Sequence, residues 1–135
     1  MVEVGEERSK RQSAQQLYDL FNRRDLDALL EPVAPDVEWD WSRSVGPDRG
    51  VYYGIGSVRR FLRTNWDHWQ AIEMTPEAIV EAGDEVVVDV LVRLRGREDI
   101  EVEARGTHVQ TWRAGRLVRY RLFQEREEAL AAVGL

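Results

Sequence analysis

A chain of 135 residues with 43% hydrophobic content is the size of one domain and can bury a core of its own. A net charge of −6 gives little grip on a phosphate backbone, so nucleic acid is not an expected partner. With no cysteine, disulfide frameworks and zinc–thiolate sites are excluded, and two unrelated histidines, His68 and His108, give no metal signature.

Met1 to Arg8 carries acids where a signal peptide would carry bases followed by an apolar run. Residues 1–9 read as a tail ahead of a single domain. From Ser13 to Asn22, Ala14, Leu17, Leu20 and Phe21 recur at spacings of three and four, the stripe of an amphipathic helix. Asp25 can cap a second short helix through Leu30, which Pro32 and Pro35 end. Val37, Trp39 and Trp41 then alternate with Asp36, Glu38 and Asp40, a strand period. A loop follows from Ser42 to Gly50. Gly54-Ile55-Gly56 opens a third helix, with Ser57 as its expected N-cap and Val58, Phe61, Leu62, Asn65, Trp66 and Trp69 along one face.

From Ile72 onward the period is that of strands. Four are expected: Ile72–Ala82, Glu85–Arg95, Ile100–Arg113 and Arg116–Gln124, the last two joined by a turn at Arg113-Ala114-Gly115. Glu125 to Ala132 closes as a short helix. The longest apolar stretch, Val86 to Val92, is broken by Asp89 and falls far short of the ~20 residues of a membrane span. A soluble, cytoplasmic protein without a membrane partner is expected. Helices first and long antiparallel strands after them make an α+β order, with the helices packed on one face of a curved sheet around an interior.

Alternation divides the strand faces. On Glu85–Arg95 the even positions are all apolar and should face the helices. On the next strand the even set includes His108, Gln110 and Trp112, against a charged odd set with Glu103 and Arg105. On the last strand Val118, Tyr120, Leu122 and Gln124 are placed inward, opposite Leu117, Arg119, Arg121 and Phe123. The first strand leaves a choice: either the indoles of Trp39 and Trp41 or the carboxylates of Glu38 and Asp40 face inward. Val87, Leu91, Val109 and Phe123 on the outer face suggest a homodimer surface.

Several segments carry a resemblance when taken together. They are Asn22-x-x-Asp25-Leu26-Asp27-x-Leu29, Ala34-Pro35-Asp36-Val37-Glu38-Trp39 and Tyr53-Gly54-x-Gly56-Ser57-Val58-Arg59-x-Phe61. Thr107-His108-Val109, Gly115-Arg116-Leu117-Val118-Arg119 and Arg126-Glu127-Glu128-Ala129-Leu130 continue the series. Their order is similar to that of SnoaL-like, or nuclear transport factor 2-like, proteins from about Gln12 to the end. The resemblance implies a cystatin-like cone with a pocket, and it leaves the chemistry open. The superfamily includes ketosteroid isomerases, epoxide hydrolases, dehydratases, polyketide cyclases and non-enzymatic binding modules. The catalytic aspartate of the isomerases, counted without gaps from Asn22, falls on Trp41, one residue past Asp40. Their oxyanion tyrosine falls on Leu17, beside Tyr18. An epoxide hydrolase would need an Asp-Arg-Asp arrangement; Asp89 and Arg93 lie on the charged face of their strand, and the last strand has no aspartate.

Two readings follow. In one, His108 with Asp40 or Glu38 performs cofactor-independent proton transfer on a small apolar substrate, as in an isomerase, cyclase or dehydratase. Trp39, Trp41, Trp66 and Trp112 would wall the pocket, while Tyr53, Tyr120, Gln110 and Gln124 would supply polar contacts. In the other, the same pocket is a non-catalytic binding or dimerisation module. Gly54-Ile55-Gly56 follows a loop rather than a βαβ strand and is no dinucleotide motif.

Overall fold

The structure, a computed structural model, describes residues 9–135; the tail expected at 1–9 lies outside it except for Ser9. Helix α1 runs Lys10–Asn22, starting one turn ahead of Ser13. The cause is a capping box: the Ser9 hydroxyl accepts from Gln12 N at 3.0 Å and the Gln12 side chain accepts from Ser9 N at 3.1 Å. Ala14, Leu17, Tyr18, Leu20 and Phe21 are its buried face. Helix α2, Leu26–Leu30, is capped by Asp25 as the sequence suggests.

Strand β1 spans Val33–Asp40 and so contains Pro35, which was expected to lie before it. Proline has no N–H to give a ladder, and the pairing of β1 with its neighbour is irregular between Val33 and Glu38, where Pro35 sits. A three-residue strand, β2 (Val51–Tyr53), follows the 42–50 loop, too short for any period to announce it. Helix α3 covers Ile55–His68 and buries Val58, Phe61, Leu62 and Trp66. Its N-cap is Gly54 at φ 86°, a left-handed conformation, and Ser57 lies inside the first turn. Strands β3 (Ala71–Ala82), β4 (Glu85–Arg95), β5 (Glu101–Arg113) and β6 (Arg116–Phe123) come next, and α4 (Arg126–Ala132) ends the fold.

The six strands form one unclosed sheet in the order β2-β1-β6-β5-β4-β3. All neighbours are antiparallel except β1 and β6, which run parallel, so the fully antiparallel sheet expected from sequence is corrected at that one pair. Irregularities at Pro76/Ala78 and Thr111/Trp112 interrupt the ladder, the kind of feature that bends a sheet. The second of these turns Leu117 inward, where it is fully buried, against its expected outward place.

Helix α1 packs on the concave face against β3 and β4 and α3 against β1 and β2, around a core that includes Val86, Val88 and Val90, each fully buried. Burying such a side chain contributes about 1.5–3 kcal/mol. The convex face is largely charged, with ion pairs Arg93–Glu103, Arg105–Glu77 and Arg119–Glu38. Its apolar residues Val87, Val109 and Phe123 are already covered by Ala129, Leu130 and Val133 of the closing segment. The homodimer surface expected there is thus occupied by the chain's own α4 across three of its four named residues. Among the described residues no helix is long and apolar enough to cross a membrane.

Candidate functional site

Between the sheet's concave face and helices α1 and α3 lies a cavity of about 670 Å³. Its size is that of a small-molecule site, a class that runs from about 300 to 1,000 Å³. Strand β1 resolves the open choice in favour of the indoles. Trp39 and Trp41 are buried, line the cavity and stack on one another at 5.9 Å and 20° between planes. Phe61 of α3 and Leu17 and Phe21 of α1 complete the apolar wall, and Met74 of β3 faces them.

The carboxylates are on the other side. Glu38 accepts from Arg119 Nε at 3.1 Å on the convex face. Asp40 accepts from the Ser42 hydroxyl at 2.6 Å and from Ser42 N at 3.0 Å, with Arg43 at 3.8 Å. Burial alone would raise the Asp40 pKa, but the Ser42 bonds with the Arg43 and Arg119 charges outweigh it and hold the carboxyl below its usual value. The expected pairing of His108 with Asp40 or Glu38 is therefore not assembled. A strand that turns two indoles inward must turn the alternate residues outward.

His108 of β5 does line the cavity, at 2% exposure. Its ring meets Trp41 edge-on at 5.3 Å. Its Nδ1 lies 2.7 Å from the Tyr120 hydroxyl and 3.1 Å from that of Tyr18, and the two hydroxyls are 2.9 Å apart. Behind this triangle Gln110 donates from Nε2 to the Tyr18 hydroxyl at 3.2 Å and accepts from Trp112 Nε1 at 2.9 Å. Register explains the grouping: Gln110 sits opposite Tyr120 across β5 and β6, with His108 two residues along on the same face. Burial without any charged partner pushes the His108 pKa down to about 3 and raises those of Tyr18 and Tyr120. The cluster is uncharged at neutral pH.

The remaining sequence candidates separate clearly. Tyr120 and Gln124 line the cavity, and Gln124 also donates to the Arg43 carbonyl at 2.7 Å. Gln110 and Trp112 are buried behind the floor and do not reach the space. Trp66 is core, packed on Phe21 at 5.3 Å, rather than wall. Tyr53 lies on the edge strand at 66% exposure, away from the cavity. Tyr18 was missed, although it falls four residues after Ala14 and three before Phe21, within the apolar stripe. Asp48 and Tyr52 also line the space; both sit beyond the reach of a periodicity argument, in or next to the 42–50 loop. Asp48 accepts from the Ser44 hydroxyl at 2.5 Å. Among the described residues no three His, Asp or Glu side chains converge as metal ligands.

The sequence pattern of the SnoaL-like domain matches residues 14–120. The chain belongs to the SnoaL-like family. Similar solved structures carry the same fold. A nuclear transport factor 2-like protein of unknown function from Burkholderia pseudomallei is 25% identical, with 93% of this chain and 97% of that one covered and a TM-score of 0.76. A Mycobacterium tuberculosis protein solved with estradiol-17β-hemisuccinate is 20% identical over 84% of this chain and 91% of that one, TM-score 0.72. A putative polyketide cyclase from Sinorhizobium meliloti is 21% identical over 82% and 92%, TM-score 0.69. A comparison of sequence with curated proteins finds no match. The family and the fold are thus shown.

Proposed function

We propose that this SnoaL-like protein binds a small, apolar, oxygen-bearing molecule in its cavity, against Trp39 and Trp41 and with one polar contact at His108. The observation that carries this reading is the composition of the interior: a mainly aromatic and aliphatic lining, which also includes Asp48, Arg60 and Arg105, around a neutral histidine–tyrosine floor, with the Glu38 and Asp40 carboxylates on the opposite face. An apolar ring system gains from leaving water, and a buried polar floor confers orientation rather than charge. The Mycobacterium tuberculosis relative solved with a steroid ester has the same fold and supports a ligand of that general size.

Tryptophan emission tests the proposal, since two indoles form the wall. Titration with 1-tetralone, a bicyclic ketone, is expected to change the emission saturably. Met74→Trp, which fills the space from β3, is expected to abolish that response while leaving the fold intact. An unchanged titration in Met74→Trp would show that the ketone binds elsewhere.

A second reading, turnover, is favoured by one observation: Asp48 is a carboxylate on the cavity lining. A neutral His108 could polarise a substrate carbonyl while Asp48 takes a proton, as cyclase or isomerase chemistry requires. Asp48→Asn separates the two readings. Under the binding reading it leaves 1-tetralone affinity within about twofold, since a single hydrogen bond is worth only about 1 kcal/mol and none is lost. Under the enzymatic reading it stops proton exchange at the carbon beside the carbonyl.

A further inference from the structure

The hydrogen-bond network behind the cavity decides which face of His108 a ligand meets. Trp112 Nε1–H can only donate, and its partner is Gln110 Oε1 at 2.9 Å. That bond fixes the orientation of the Gln110 amide, so its other end presents an N–H, not an oxygen, to the Tyr18 hydroxyl at 3.2 Å. The hydroxyls of Tyr18 and Tyr120 therefore find no acceptor in Gln110. The described residues give them none beyond each other and His108 Nδ1. Two hydroxyl protons run round this triangle, and in either sense the chain ends on Nδ1. If Nδ1 carried a proton of its own, three protons would share two oxygens and one hydroxyl would be left buried and unpaired. Leaving such a group without a partner is unfavourable.

The uncharged ring must then carry its proton on Nε2. That nitrogen has no partner among the described residues, and it is not among the sealed unpaired atoms, which are Trp39 Nε1, Trp66 Nε1 and Arg121 Nε. On a residue that lines the cavity it is the edge left open to the cavity's contents.

We infer that Trp112, through Gln110 and the two tyrosines, is a positioning residue that holds His108 in its Nε2–H form, so that the cavity selects ligands bearing a hydrogen-bond acceptor such as a carbonyl. This deepens the proposed function and rests on it for the ligand, while the proton position is a property of the free protein. Trp112 never touches the ligand; it sets the polarity of the floor from behind. Without its N–H the Gln110 amide is free to turn, Oε1 can accept from Tyr18, and the ring proton can move to Nδ1. The cavity would then meet a lone pair instead of a donor.

Long-range proton–nitrogen correlation spectra of the free protein read the proton position directly. The expected result for the wild type is a pyrrole-type Nε2 and a pyridine-type Nδ1 at His108; the reverse pattern overturns the inference. In Trp112→Phe the Nδ1–H form is expected to grow. The preference for 1-tetralone over 1-naphthol, measured by calorimetry, is expected to fall about tenfold, the scale of one hydrogen bond. An unchanged tautomer and an unchanged preference in that variant would also overturn it. If Trp112→Phe does not fold, the wild-type spectrum still decides the question. Absence of 1-tetralone binding to the wild type would remove the proposed ligand class but leave the tautomer result standing, so the two failures are distinct.

Discussion

An imidazole with an ordinary pKa near 6.5 changes charge close to neutrality and can pass protons. His108 sits instead among Trp41, Tyr18 and Tyr120 with no carboxylate against it, and its pKa is pushed down to about 3 by burial. Its chemistry at neutral pH is that of a fixed dipole, and two outcomes follow. Affinity for an uncharged ketone should be flat from about pH 5 to pH 8, because His108 does not titrate there; a bell-shaped or stepped profile in calorimetry would point to an ionising group in the site. Stability should carry the opposite signature. The unfolded chain takes up a proton near pH 6.5 and the native one only near 3. The native state is thus fully favoured above pH 6.5 and loses stability as pH falls toward 3. Between pH 7 and 4.5, wild type should lose about 2–3 kcal/mol more than His108→Gln in urea denaturation. Equal losses would mean that the ring is hydrated in the native state.

Turns and caps carry the sequence's strongest local signals, and they are also where the expectations can be tested element by element. The β5–β6 turn places Ala114 at φ 51° and Gly115 at φ 77°, the paired positive values of a tight hairpin. An alanine in that conformation costs about 1 kcal/mol. Ala114→Gly should therefore raise the urea midpoint, whereas the same change at most other alanines would lower it. Ser9→Ala should cost about 1 kcal/mol by removing the cap of α1. Helix α4 has a different task, shielding Val87, Val109 and Phe123. Ala129→Asp, a charge placed at a fully buried contact, should release it at a cost of about 3 kcal/mol and make the convex face bind a hydrophobic dye. A dye-silent, stable variant would mean that α4 is dispensable to the fold.

At the scale of the molecule, helices followed by strands were enough to read the α+β cone, because each long element announced itself by its period. The strand faces were legible too: Val86, Val88 and Val90 of β4 sit inward as expected, as do His108 and Gln110 on β5, while Val87 faces outward. What escaped had physical reasons. Strand β2 is three residues long, the irregularity at Thr111/Trp112 shifted the parity of Leu117, and the parallel pairing of β1 with β6 leaves no local mark in either strand. The face of β1 was undecidable alone, since carboxylates and indoles alternate; only packing against Phe61 and Tyr120 selects the indoles. Tyr18 lay in plain view on the α1 stripe, but its role depends on β5 and β6, some ninety residues away in sequence.

The measurement that bears most directly on this account is a crystal structure of the protein with 1-tetralone. The ketone oxygen is expected within hydrogen-bond distance of His108 Nε2, with the ring system against Trp39 and Trp41 and Gln110 still bonded to Trp112. A ketone bound at the rim with the floor untouched, or a cavity closed by side-chain collapse, would contradict it.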